Sequence, residues 1–112
     1  MSPTGDKDPR LYLIHMIECI DRIRAYTDAG REAFFANQMA QDAVYRNLQV
    51  LGEAAKRVPE AVRALAPAIP WRGIAGLCDV IVHQYEGVDP VQVWNVVENE
   101  IGRFEPPLRA LI

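Results

Sequence analysis

Apolar residues recur along most of this chain at three- and four-residue spacing, the period of an amphipathic helix, and Asp-Pro steps and prolines punctuate the runs. Asp8-Pro9 supplies an N-cap and a first-turn proline, and Leu13, Met16, Ile17, Ile20 and Ile23 follow on one face, predicting a helix from Pro9 to Asp28 stopped by Gly30. Arg31 to Asn37 carries Phe34 and Phe35 and reads as a helical turn plugging the base of a bundle. A second main helix then runs to Val58 and is ended by Pro59, with Met39, Val44, Leu48, Leu51 and Ala55 inward. Arg46, Asn47, Gln49, Glu53, Lys56 and Arg57 fall on its polar side. Pro59-Glu60 opens a short helix to Leu65, Pro67 and Pro70 enforce an extended link, and a third main helix spans Trp71 to Tyr85 with Ile74, Leu77, Cys78 and Ile81 inward. Asp89-Pro90 starts a fourth, with Val93, Val96, Val97, Ile101 and Phe104 inward. Pro106-Pro107 are expected to break or kink it before a terminal turn over Leu108 to Ile112.

No stretch alternates with period two between hairpin turns, and no repeat is present. The reading is an all-α, antiparallel bundle of four main helices plus short ones. A chain of 112 residues, half of them hydrophobic, has room for one core, so residues 1–112 are expected to form a single domain.

Charge and cysteine content narrow the function classes. Net charge is -3, and residues 73–112 hold only Arg103 and Arg109 against six acids. Gripping a long duplex requires a basic stripe, so DNA is not an expected partner, and RNA contact must borrow arginines from the first half or from a second subunit. The polar start and the lack of any apolar run near the ~20 residues that span a bilayer point to a soluble, cytoplasmic protein with no membrane partner. Cys19 and Cys78 form neither a CxxC nor a Cys/His zinc spacing. They are expected to be reduced, with Cys19 in the core, and no metal or cofactor is expected.

Chemistry concentrates in Trp71 to Asp89. His83 lies in an apolar run with Tyr85 two positions on, an imidazole that exchanges protons near neutral pH beside a phenol. Asp79, four residues earlier, shares a helical face with position 83, where a carboxylate can fix a tautomer or raise a histidine's pKa. The other histidine, His15, sits alone on the first helix among apolar neighbours and reads as structural.

The order PAIPWRGIAGL (67–77), DVIVHQY (79–85) and GVDPVQVW (87–94), preceded by AVYRNLQVLGEAAKR (43–57), resembles the HepT-like branch of the HEPN superfamily over roughly Arg10 to Leu111. That resemblance implies an all-helical homodimer, the toxin of a pair whose antitoxin is a minimal nucleotidyltransferase. It implies a metal-independent endoribonuclease with an Arg-x4-6-His-x-Tyr motif at the dimer cleft, acting on RNA such as tRNA or mRNA. His83 and Tyr85 match the motif's His and Tyr, and Asp79 the polar residue after its Arg. The arginine itself is replaced by Cys78. The resemblance further implies that the antitoxin neutralises the toxin by binding, or by AMPylation of Tyr85. Arg46, with Asn47 and Glu53 behind it, is the expected cleft lining.

Cleaving RNA without a metal takes a base for the 2′-hydroxyl, an acid for the leaving oxygen and a cation for the charged phosphorane. A guanidinium binds phosphate bidentately and a thiol does not. The expectation is therefore an attenuated ribonuclease; the alternative is a catalytically inactive helical dimer that binds or regulates a nucleotidyltransferase.

Overall fold

The computed structural model describes residues 8–83 and 87–112, with side chains throughout except at 77 and 80–83. Every regular element among them is helical, as the periodicity predicts. Helix α1 (Pro9–Tyr26) starts where Asp8 accepts the Arg10 amide at 3.0 Å. It ends two residues earlier than expected, because the Thr27 hydroxyl donates back to the Ile23 carbonyl at 2.8 Å and closes the last turn. Gly30 follows at φ 98, the left-handed region that suits glycine, and leads into α2 (Arg31–Phe35). Helix α3 (Gln38–Arg57) begins with Asn37 accepting from the Ala40 amide. Buried Gln41 donates to the Phe34 and Phe35 carbonyls, satisfying the end of α2. Phe34 is fully buried with its ring 5.6 Å from that of Trp94, so the short helix does plug the core.

Helix α4 (Glu60–Arg63) exists to finish α3. Its Arg63 guanidinium donates to the carbonyls of Ala55, Lys56 and Val58 at the end of α3, adding to the Val58 amide that already reaches Ala55. The Trp71 indole N–H then reaches the Ala66 carbonyl at 3.2 Å, seating the start of α5 (Trp71–His83) near that same end. Tyr45, in the first half of α3, lies within electrostatic reach of Asp89, beyond the far end of α5. Helix α5 therefore runs antiparallel to α3. Leu11, Tyr12 and His15 share a groove with Val50, Ala54 and Arg57, so α1 is antiparallel to α3 as well.

Helix α3 packs between α1 and α5. Behind this layer runs a composite helix: α6 (Pro90–Asn95), capped by Asp89, a π-helical stretch Val96–Glu100, and α7 (Ile101–Arg109). Val93, Val97, Ile101, Phe104 and Leu108 are buried against Leu13, Met16, Ile20, Leu48 and Leu51. Cys19 is buried among them, as expected of a small apolar side chain.

Two expectations are corrected. Met39 is 82% exposed rather than inward, since at five residues before Val44 it is turned about 140° around α3 from the packed face. Pro106 and Pro107 do not break the last helix; α7 continues through both. Each removes a donor, at about 3 kcal/mol in an ordinary helix interior. The carbonyls they abandon, four residues back, belong to Gly102 and Arg103, both exposed and open to water. Beyond them Leu108 is fully buried, and Arg109 pairs with Asp21 at 2.6 Å and Glu105 at 3.0 Å, fixing the final turn.

Glu105 also accepts from Arg24 of α1 at 2.8 Å. Burial pushes its pKa up, but the hydrogen bonds from Arg24 and Arg109 outweigh burial and hold the carboxyl below its ordinary 4.5. With the folded value the lower one, this stabilisation is complete above the unfolded pKa and is lost as pH falls through the folded one. Glu105→Gln should thus lower the urea midpoint at neutral pH, and the gap to the parent chain should narrow as pH falls below the carboxyl's ordinary 4.5 and through its lower folded value. A gap that stays constant with pH would contradict this.

Candidate functional site

The site is built where α5 crosses α3. Gly52 meets Cys78 there so closely that a Cβ on Gly52 would lie 2.4 Å from the Cys78 Cβ. Without that glycine the two helices could not approach at this point. Cys78 is 3% exposed, and burial raises its thiol to about 12, only partly offset by the Gly52 backbone. It stays protonated at physiological pH, so it is neither a cation nor an activated nucleophile.

Asp79 turns from this contact toward solvent, with Oδ1 2.6 Å from Nζ of Lys56 on α3, and Lys56 also lies 3.6 Å from Glu53. The Asp79 hydrogen bond raises the Lys56 pKa. One ammonium thus serves two carboxylates, and the trio carries net negative charge. Helix α5 continues to His83, so positions 79 and 83 lie one turn apart on the same side. The side chain of His83 and the whole of Tyr85 lie outside the described residues.

The three residues expected to line a cleft separate. Arg46 is exposed, with Nη1 3.4 Å from Gln49 Oε1. Glu53 is exposed beside Lys56. Asn47 is buried and donates to the Ala43 carbonyl at 2.8 Å. At about 100° per residue it lies about 140° around α3 from Gly52, on the side facing α1 rather than α5.

Behind Cys78, a cavity of about 280 Å³ is lined by Leu48, Leu51, Ile74, Cys78, Val96 and Glu100. Two of these residues bound the π-helical stretch, a feature frequent beside functional sites. Sequence reasoning missed Gly52, the Lys56–Asp79 pair and Glu100. The small-residue run Gly52, Ala54, Ala55 within α3 was a usable signal for the close crossing; nothing in the sequence paired residues 56 and 79. Among the described residues no group of three or more His, Cys, Asp or Glu side chains is placed to hold a metal ion. Among the same residues no helix is long and apolar enough to cross a membrane.

The model of one protein family, Ribonuclease HepT-like, matches residues 16–111. The chain belongs to the HepT-like ribonuclease family. A HepT-like relative in Methanocaldococcus jannaschii, provisionally named an RNase, is 35% identical over 107 residues, 95% of this chain and 92% of its own length. A Thermococcus cleftensis protein named as a probable ribonuclease HepT is 37% identical over 99 residues, covering 84% of this chain and 90% of that one. A second M. jannaschii protein, named a gamma-glutamylcyclotransferase with a provisional RNase assignment, is 37% identical over 88% of this chain, which spans only 45% of that longer protein. No solved structure matches the chain. HepT-like membership agrees with the resemblance read from residues 43–57 and 67–94.

Proposed function

We propose that this HepT-like chain is the toxin of a toxin–antitoxin pair, a metal-independent endoribonuclease working as a cytoplasmic homodimer of single-domain subunits, attenuated because Cys78 stands where the motif arginine belongs. The observation that carries the attenuation is the state of Cys78 itself, buried, protonated and packed on Gly52. In the reaction, a base takes the proton of the 2′-hydroxyl, the 2′-oxygen bonds to phosphorus, and the bond from phosphorus to the 5′-oxygen breaks as an acid protonates the leaving oxygen. The products are a 2′,3′-cyclic phosphate and a free 5′-hydroxyl. His83 serves as base or acid, and the second subunit's copy across the dimer cleft supplies the complementary role. Asp79 positions the histidine through the helical turn they share, while its pairing with Lys56 orients the carboxylate. Loss of a donor to the developing oxyanion costs about 10²–10³ in rate, which sets the expected scale of attenuation. The reading is tested by the Cys78→Arg chain, whose RNA cleavage with EDTA present must depend on His83.

Neutralisation is assigned to a minimal nucleotidyltransferase antitoxin that binds the toxin or AMPylates Tyr85. In the latter step the phenolic oxygen attacks the α-phosphorus of ATP, pyrophosphate leaves, and the phenol proton passes to a base or solvent. The adduct would bring bulk and a negative phosphate next to the His83 end of α5 and repel the RNA backbone. Intact-mass measurement after incubation with the partner and MgATP should show one or more AMP increments on the native chain and none on Tyr85→Phe. An adduct that persists on Tyr85→Phe rejects Tyr85 as the acceptor.

The same observation at Cys78 favours a second reading, a catalytically inactive dimer that binds or regulates the nucleotidyltransferase. If neither the native chain nor Cys78→Arg inhibits growth or cuts RNA, that reading stands.

A further inference from the structure

The layer of α1, α3 and α5 is covered on one face by α6 and α7, and among the described residues no element covers its other face. Exposed along that open face are Leu11 and His15 of α1, Arg46 and Glu53 of α3, and Asp79 at the inner edge of α5. Arg22 continues the α1 stripe of Leu11 and His15 at seven further positions, two helical turns. The Cys19 thiol, raised by burial, feels both Arg22 and Arg46 as opposing positive charges, with Glu18 also in range. These two arginines of different helices are therefore both within electrostatic reach of the same sulfur.

The Gly52–Cys78 crossing fixes how far along the layer they lie. From it, His83 is five residues onward in α5 and Arg46 six residues back in α3, rises of about 7.5 and about 9 Å. Because the helices are antiparallel, the two positions come level. They also share a side. Arg46 is turned about 120° around α3 from the crossing, and positions 79 and 83 about 100° and about 140° around α5. The Lys56–Asp79 pair marks that side as common to both helices.

The cations on this face are not equivalent. Lys56 is shared by Asp79 and Glu53. Arg57 is on the same side of α3 but eleven residues on, about 16 Å along the helix, in the groove with Leu11 and His15. Among the described residues Arg46 has only the neutral Gln49 oxygen as partner, and neither Arg46 nor Arg22 joins an ion pair. With Glu18 near them, the two arginines keep a net positive charge.

We propose that Arg46, supported by Arg22, is the phosphate-binding group of this chain, holding the backbone of single-stranded RNA level with His83, a binding contact distinct from the phosphorane-stabilising cation that Cys78 does not supply. The inference rests on the ribonuclease reading for its purpose, but it is tested by binding alone. Its chemistry is that of a planar guanidinium fork meeting phosphate oxygens, with no ion-paired carboxylate to displace from Arg46 among the described residues. A phosphate held there would lie between α3 and the end of α5, where the 2′-hydroxyl must sit for an acid or base at position 83.

The test is fluorescence anisotropy of the full chain with a labelled single-stranded RNA carrying 2′-O-methyl sugars, which cannot be cleaved. Affinity is measured as a function of salt for the native chain, Arg46→Gln, Arg46→Lys, Arg22→Gln and, on the opposite face, Arg103→Gln. Arg46→Gln should bind about tenfold more weakly, with the slope of log affinity against log salt shallower by about 0.7. Arg46→Lys should recover part of the affinity and all of the slope, Arg22→Gln should show a smaller loss, and Arg103→Gln none. Native affinity and slope in Arg46→Gln overturn the assignment, as does the absence of any RNA binding. If His83→Ala abolishes cleavage while Arg46→Gln binds normally, Arg46 is overturned and the ribonuclease reading survives. Arg46-dependent binding without cleavage by any form supports Arg46 and overturns that reading.

Discussion

Arginine at position 78 should raise RNA cleavage by about 10²–10³-fold over the native chain, the scale of one restored oxyanion donor. The native thiol is buried and pushed up to about 12, so it offers no charge to a phosphorane at any physiological pH. The site nevertheless has space for a longer side chain. The cavity of about 280 Å³ flanking Cys78 offers that room and carries Glu100 on its wall as a ready counter-charge. Burying a guanidinium beside so much apolar surface is expected to lower stability, because a buried charge is costly unless fully paired. A gain in activity together with a lower urea midpoint is therefore the expected signature. An unchanged rate in a folded Cys78→Arg chain would remove the explanation for attenuation.

The second large effect is on the crossing itself. Gly52→Ala should destabilise the fold by about 1–3 kcal/mol, the usual cost of overpacking, even though alanine gains up to about 1 kcal/mol over glycine in a helix. The reason is geometric: the new Cβ would lie 2.4 Å from the Cys78 Cβ and 3.0 Å from its Sγ, so α3 and α5 must separate. Gly76 lies on α5 with nothing within 4 Å of an added Cβ. Gly76→Ala should therefore raise stability by about 0.5–1 kcal/mol. Urea midpoints that move in opposite directions for these two glycines support the close crossing; a neutral or stabilising Gly52→Ala contradicts it.

Much of the fold could be read from local chemistry. Asp8-Pro9 and Asp89-Pro90 start helices as their capping chemistry dictates, and Phe34 and Cys19 are buried as their character suggests. Misreadings arose where periodicity or propensity met tertiary context. Met39 is apolar but lies five residues, about 140°, from Val44 and so off the packed face of α3. Pro106 and Pro107 are helix breakers by propensity, yet the carbonyls they orphan face water and Leu108 anchors the turn beyond them. Asn47 lies on a polar stretch of sequence but turns toward α1 and satisfies its amide on the Ala43 carbonyl.

At the candidate site, local spacing put Asp79 and position 83 on one side of a helix, and the inward stripe of Ile74 and Cys78 already implied a buried thiol. Three features were not legible there. The Lys56–Asp79 pair joins residues 23 apart in sequence, the π-helical stretch has no composition signal, and the levelling of Arg46 with His83 depends on where two helices cross. Each is set by packing between elements, which a one-dimensional pattern does not encode.

The central claim is that the chain retains a metal-independent ribonuclease site lacking only its cation. The most direct measurement compares cleavage of an end-labelled RNA in EDTA by the native chain, Cys78→Arg and the double variant Cys78→Arg/His83→Ala, with the new termini identified. The account predicts strong cleavage by Cys78→Arg alone, leaving 2′,3′-cyclic phosphate and 5′-hydroxyl ends. Cleavage that survives loss of His83, or a folded Cys78→Arg chain that leaves the RNA intact, would contradict it.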